Sequence, residues 1–167
     1  MKPIYGDAVA HGLLQTASLM LLLIAFLGAC AHVSGDDGAA RVVDARTAHR
    51  LSQRNWDLKG LTVDGRQIVI DVDTVITIRF SPDGQVAGFA AVNRYSGTYS
   101  LSGSGKLNWG RIPTVVTGNI GLPELMEKQR AYLRALVQTD AAVLAGRVLV
   151  LQSVDATTVL TFNEAGF

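Results

Sequence analysis

From Asn55 onward, apolar and polar positions alternate with a period of two, the spacing of a strand that buries one face. Trp56 and Leu58 point the same way, and Val63-Asp64-Gly65-Arg66 makes a turn. Val72, Thr74, Ile76, Ile78 and Phe80 alternate with Asp73, Val75, Thr77 and Arg79, which predicts one strand over that stretch. Ser81-Pro82-Asp83-Gly84 carries Pro and Gly where a type I turn favours them, so residues 85–90 should return antiparallel. Residues 95–101 predict the next strand, with Tyr95, Gly97, Tyr99 and Leu101 on one face. Ser102-Gly103-Ser104-Gly105 closes a hairpin into residues 106–110. The period then changes. Leu122-Pro123-Glu124 opens a helix, with Pro near its first position and an acid in its first turn. Leu125, Gln129, Tyr132, Leu133 and Leu136 form the stripe that packs on a sheet, and Arg130 and Arg134 lie opposite. The helix ends around residues 138–140. Residues 148–151 and 157–162 form a closing hairpin through a turn near Asp155-Ala156. This order predicts an α+β fold, a curled antiparallel β-sheet or partly open β-barrel packed against one main α-helix.

The N-terminal part follows a different pattern. An apolar run from Leu13, densest from Leu19 onward, closes in Leu27-Gly28-Ala29-Cys30, and Cys30 is the sole cysteine. The run falls short of the roughly 20 residues that span a bilayer. Small residues before a cysteine fit a narrow protease site, and the placement resembles the lipobox of bacterial lipoprotein signal peptides, where the cysteine receives a diacylglycerol. Lys2 supplies the positive charge ahead of the run. The resulting division is a signal peptide over 1–29, the acylated Cys30 and a tether over 30–52, and one domain over 53–167. Ser34-Gly35-Asp36-Asp37-Gly38-Ala39-Ala40 is small, polar and turn-prone, as a tether requires. Residues 41–54 show a weak helical pattern with cations at Arg41, Arg46, Arg50 and Arg54, and read as a solvated lead-in. On this basis the protein meets a membrane through an N-terminal lipid anchor. In Gram-negative sorting, Ala31 after the acylated Cys30 favours the outer membrane, facing the periplasm.

Charge and chemistry narrow the function further. The formal net charge is +1 and no run of like charges occurs, so no nucleic-acid partner is expected. The histidines are His11, His32 and His49, all ahead of the expected domain, which therefore lacks both His and Cys. That excludes Ser-His-Asp and Cys-His catalysis and a standard zinc site there, and no cofactor or enzymatic activity is expected. Asp71 and Asp73 would share a strand face, where an exposed face or the start of a turn accounts for them better than a paired-acid or Ca²⁺ site. Glu124 and Glu127 suit a helix N-terminus. Ser102-Gly103-Ser104-Gly105 lacks the spacing and following helix of a phosphate loop. Asn93, Arg94 and Tyr95 are the candidates for a polar rim beside a groove that takes an envelope protein partner or hydrophobic ligand, although Asn93 equally suits a structural turn. Trp109 is either a core aromatic or an exposed binding platform.

Trp56-Asp57-Leu58 and Asn93-Arg94-Tyr95-Ser96-Gly97 carry a resemblance to the META domain, or HslJ-like, family of small bacterial envelope proteins. Gly88, Tyr99 with Leu101, Thr114, Tyr132-Leu133-Arg134-Ala135-Leu136, Leu149 with Leu151, and Leu160 with Phe162 extend it over about residues 53–162. The resemblance implies the α+β fold above and a role in envelope stress or drug tolerance. Family members often carry a cysteine where Val92 stands and another in the loop before the helix, and an acid where Gln129 stands, so no redox role carries over. A sheet with one helix, as in pilot lipoproteins of secretion systems, offers an alternative: an acyl chain or hydrophobic peptide held between helix and sheet.

Overall fold

A computed structural model describes residues 38–111 and 114–166. The signal peptide expected over 1–29 and the lipidation expected at Cys30 lie outside the described residues. In chain order the elements are β1 (Arg41–Val42), α1 (His49–Ser52), β2 (Asn55–Val63), β3 (Arg66–Ile68), β4 (Ile76–Phe80), β5 (Gln85–Ala90), β6 (Asn93–Leu101) and β7 (Leu107–Trp109), followed by β8 (Thr114–Val115), α2 (Pro123–Gln138), β9 (Ala141–Ala145), β10 (Val148–Gln152) and β11 (Val159–Glu164). One sheet runs β1-β9-β10-β11-β2-β4-β5-β6-β7, with β3 beside β2 and β8 beside β6. It curls into a half-barrel. Its two ends approach at the Lys106–Ala141 bridge and through Leu107 N–H donating to Asp140 O at 2.7 Å.

The turns do what their residues dictate. Asp64 and Gly65 take φ of 50° and 74°, the left-handed pair that a two-residue hairpin needs. In the next hairpin Gly84 takes φ 80°, and Ser81 O accepts from its N–H. A register shift opposite Thr161 and Phe162 leaves Lys59 as the extra residue of β2, and such a bulge bends a strand.

Helix α2 lies against β2, β5 and β11. Its Gln129, Tyr132, Ala135 and Leu136 are buried, while Arg130 and Arg134 are exposed, as the stripe requires. Trp56, Phe80, Tyr95, Tyr132 and Phe162 are fully buried in one cluster. Tyr132 meets Tyr95 and Phe162 edge-on, at ring-centre separations of 5.7 and 6.5 Å. The space expected to admit an acyl chain between helix and sheet is therefore occupied by the chain's own rings.

Four segments depart from the sequence pattern. The strand predicted over residues 72–80 begins only at Ile76, and Val72 is 98% exposed. Asp71 O accepts from Thr74 N–H in a turn, and the Asp71 carboxylate pairs with Lys128 of α2. Aspartates disfavour strands, and this pairing draws the segment to the helix. Residues 41–52 belong to the folded body and are not a free lead-in. Val43 and Leu51 are buried, Val43 N–H donates to Ala142 O at 2.8 Å, and the Trp56 indole donates to Leu51 O at 3.2 Å. The domain therefore begins ahead of Gln53. Strands β8 and β9 were not expected; β9 (Ala-Ala-Val-Leu-Ala) has no polar alternation to announce it.

Candidate functional site

The Asn93–Tyr95 motif opens β6, and its three side chains separate. Asn93 is buried. Its Oδ1 accepts from Asn119 N–H at 2.7 Å and Thr117 Oγ1 at 2.8 Å, and its Nδ2 donates to Asn119 O at 3.0 Å. Its own N–H donates to Gln129 Oε1 at 3.1 Å. Asn93 thus clamps the loop between β8 and α2 onto the sheet and onto the helix. The left-handed residue of the β5–β6 turn is Ala91, at φ 63°. Trp109 is half-buried and its indole donates to Thr139 O at 2.9 Å, holding the end of α2. Neither residue forms a rim.

Tyr95 points into the core. Its hydroxyl donates to Thr77 O at 2.9 Å and lies 2.6 Å from that of Tyr132. Gly88 makes this possible, because a Cβ there would overlap the Thr77 carbonyl oxygen and stand 2.7 Å from Tyr95 Oη. Burial pushes both hydroxyls above the ordinary tyrosine range, and Tyr95 is raised further by its neighbour. Unfolded, each ionises near pH 10. A raised folded value means that stability is complete below about pH 10 and is lost as pH climbs beyond it, by at most ~1.4 kcal/mol per pH unit for each tyrosine. The urea midpoint should accordingly hold from pH 8 to 9.5 and fall steeply by pH 11. Tyr132→Phe should flatten that fall; an identical slope in the variant would show that other groups drive it.

Of the motif, Arg94 alone reaches a surface hollow with its side chain. A groove of about 550 Å³ opens on the outward face of β4, β5 and β6. Its geometry follows from register. Thr77, Phe89 and Arg94 are paired across the three strands, and Arg79, Ala87 and Ser96 form the next row. Small Ala87 and Ser96 leave the floor low, and Phe89 stands beside them. Val116, whose N–H donates to Arg94 O at 2.9 Å, lies at the far side. Arg79 and Arg94 sit two strands apart and one row out of step, which puts their backbones roughly 12 Å apart. No acid lines the groove, and neither guanidinium has an ion-pair or hydrogen-bond partner among the described residues. Such a surface can hold an apolar body with an anionic end. One signal in the sequence could have found it: outward positions of a two-sided strand are normally polar, and β5 places Ala87 and Phe89 there.

Asp71 and Asp73 do not share a strand face. Hydrogen bonding to Lys128 holds the Asp71 carboxyl below its ordinary range. Among the described residues, no group of three or more His, Cys, Asp or Glu is placed to hold a metal ion, and no helix is long and apolar enough to cross a membrane.

A family model described as the META domain matches residues 49–166. A comparison with curated proteins finds no match. Among solved structures, the NMR structure of a protein from Burkholderia xenovorans is similar with a TM-score of 0.59 at 23% identity, covering 84% of this chain and 97% of that one. A second protein solved by NMR has a TM-score of 0.50 at 24% identity, covering 70% and 93%. The crystal structure of a DUF4847 family protein from Bacteroides vulgatus has a TM-score of 0.52 at 13% identity, covering 69% and 94%. At these identities the likeness is one of fold.

Proposed function

Because the chain belongs to the META domain family, we propose that it is a non-enzymatic binding protein of the bacterial envelope, lipid-anchored through Cys30. Its place is the periplasmic face of the outer membrane, and its role is in envelope stress or drug tolerance. The observation that carries the anchor is Leu27-Gly28-Ala29-Cys30, small residues and a sole cysteine at the end of an apolar run too short to span. A binding role is supported by the outward groove, whose lining offers two arginines and apolar surface but no carboxylate, imidazole or thiol to move a proton or attack a substrate. The envelope partner or hydrophobic ligand belongs there. A pilotin-like site between helix and sheet would have to displace the packed rings of Tyr95, Tyr132 and Phe162.

Metabolic labelling of cells with an alkyne fatty acid tests the anchor. Wild type should take up label and partition with membranes, and Cys30→Ala should take up none. Equal labelling of the two would remove the lipid from the account.

A further inference from the structure

Four arginines that are scattered in the sequence converge on one pocket. Arg41 of β1, Arg50 of α1, Arg54 just before β2 and Arg147 in the β9–β10 turn line a hollow of about 310 Å³. Two of them are braced. Arg54 Nη1 donates to Gly146 O at 2.6 Å, and its guanidinium stands 5.7 Å from the centre of the Trp56 ring. Both Arg54 and Arg147 turn to a single carboxylate, Glu164, at 3.5 and 3.3 Å. Arg50 has no ion-pair partner among the described residues. Among the described residues these three guanidiniums thus share one countercharge, and Arg41 lines the same hollow. Cations gathered without matching anions repel one another, and a bound anion relieves the repulsion. Planar guanidinium forks match the oxygens of a phosphate, and pre-bracing lowers the cost of ordering them.

The pocket's position along the chain indicates a source. Ala39, which lines it, follows Cys30 by nine residues, so even a fully extended chain keeps it within about 32 Å of the cysteine. We propose that this pocket binds a phosphate group, and that in the acylated protein the phosphate belongs to an anionic phospholipid headgroup. The lipid source rests on the anchor through Cys30; the phosphate pocket does not. Arg50→Gln with Arg147→Gln removes two cations at the mouth and leaves Arg54 braced.

Native mass spectrometry of the full chain in neutral detergent, supplied with phosphatidylglycerol, phosphatidylcholine or glycerol 3-phosphate, tests it. Wild type should retain phosphatidylglycerol at least tenfold over phosphatidylcholine, and the double variant, at an unchanged melting temperature, should lose that preference. Glycerol 3-phosphate bound as tightly as phosphatidylglycerol, and lost in the same variant, would uphold the pocket and overturn the lipid source. Retention of neither anion, or equal retention by the double variant, would overturn the pocket itself. An unlabelled Cys30 in the fatty-acid experiment, with arginine-dependent retention intact, would sink the anchor and the lipid source that rests on it, and would leave the phosphate pocket standing.

Discussion

Gly88→Ala should cost the domain about 4 kcal/mol, a large share of the 5–15 kcal/mol that holds a typical domain together. The added methyl overlaps the Thr77 carbonyl oxygen and crowds Tyr95 Oη and Cε1, at 2.7 and 2.8 Å. Overpacking of that kind costs about 1–3 kcal/mol, and displacing Tyr95 adds the loss of its hydrogen bond to Thr77 O, about 1 kcal/mol or more. Neither neighbour can yield cheaply. Thr77 is fixed in β4 opposite Phe89, whose N–H donates to Thr77 Oγ1 at 3.1 Å, and Tyr95 is wedged against Tyr132. Urea unfolding of Gly88→Ala beside Gly88→Ala/Tyr95→Phe separates the terms. The double variant should recover only the part that belongs to the hydroxyl. A loss under 1 kcal/mol in the single variant would mean that β5 slides away from β4 at little cost.

The same residues show how far the sequence could be read. Turns were legible because their chemistry is local: Asp64-Gly65 and Pro82-Asp83-Gly84 impose their backbone angles on whatever surrounds them. The inward set of β6 and the stripe of α2 were legible because each face repeats at a fixed period. What escaped depends on long-range partners. Val72 fits a strand by pattern, yet Asp71 is drawn to Lys128, fifty-seven residues away, and the strand starts late. Arg41 to Arg54 looked like a solvated stretch because Leu51 and Val43 gain their burial from Trp56 and β9. A motif read as a binding rim split into one clamp, one core ring and one surface arginine, because successive residues of a strand face opposite ways. The groove beside Arg94 lies where three strands happen to align small residues, and register across strands is set by the whole sheet.

Asn93→Ala should cost about 3 kcal/mol and, with it, the wall of the groove. The side-chain amide makes three hydrogen bonds to the loop at Thr117 and Asn119, each worth about 1 kcal/mol net, and their partners lose pairing when it goes. The loop is otherwise tied to the start of β6 by Val116 N–H to Arg94 O and Arg94 N–H to Thr117 Oγ1. Freed at Asn119, it should open on its own, so hydrogen exchange should quicken across residues 116–121 before the rest of the domain responds. Exchange that stays slow there would show that the clamp is dispensable. Asn93→Asp supplies a finer test. It keeps the acceptor for Asn119 N–H and Thr117 but turns an oxygen toward Asn119 O, where the amide donated. As a carboxylate it is repelled; protonated, it can donate in the amide's place. Its folded pKa is thus raised above about 3.9, so its deficit against wild type should be least below pH 4 and grow as pH rises. A deficit independent of pH would mean that the Asn119 carbonyl turns away to other partners, and that the loop is held by the acceptor side of Asn93 alone.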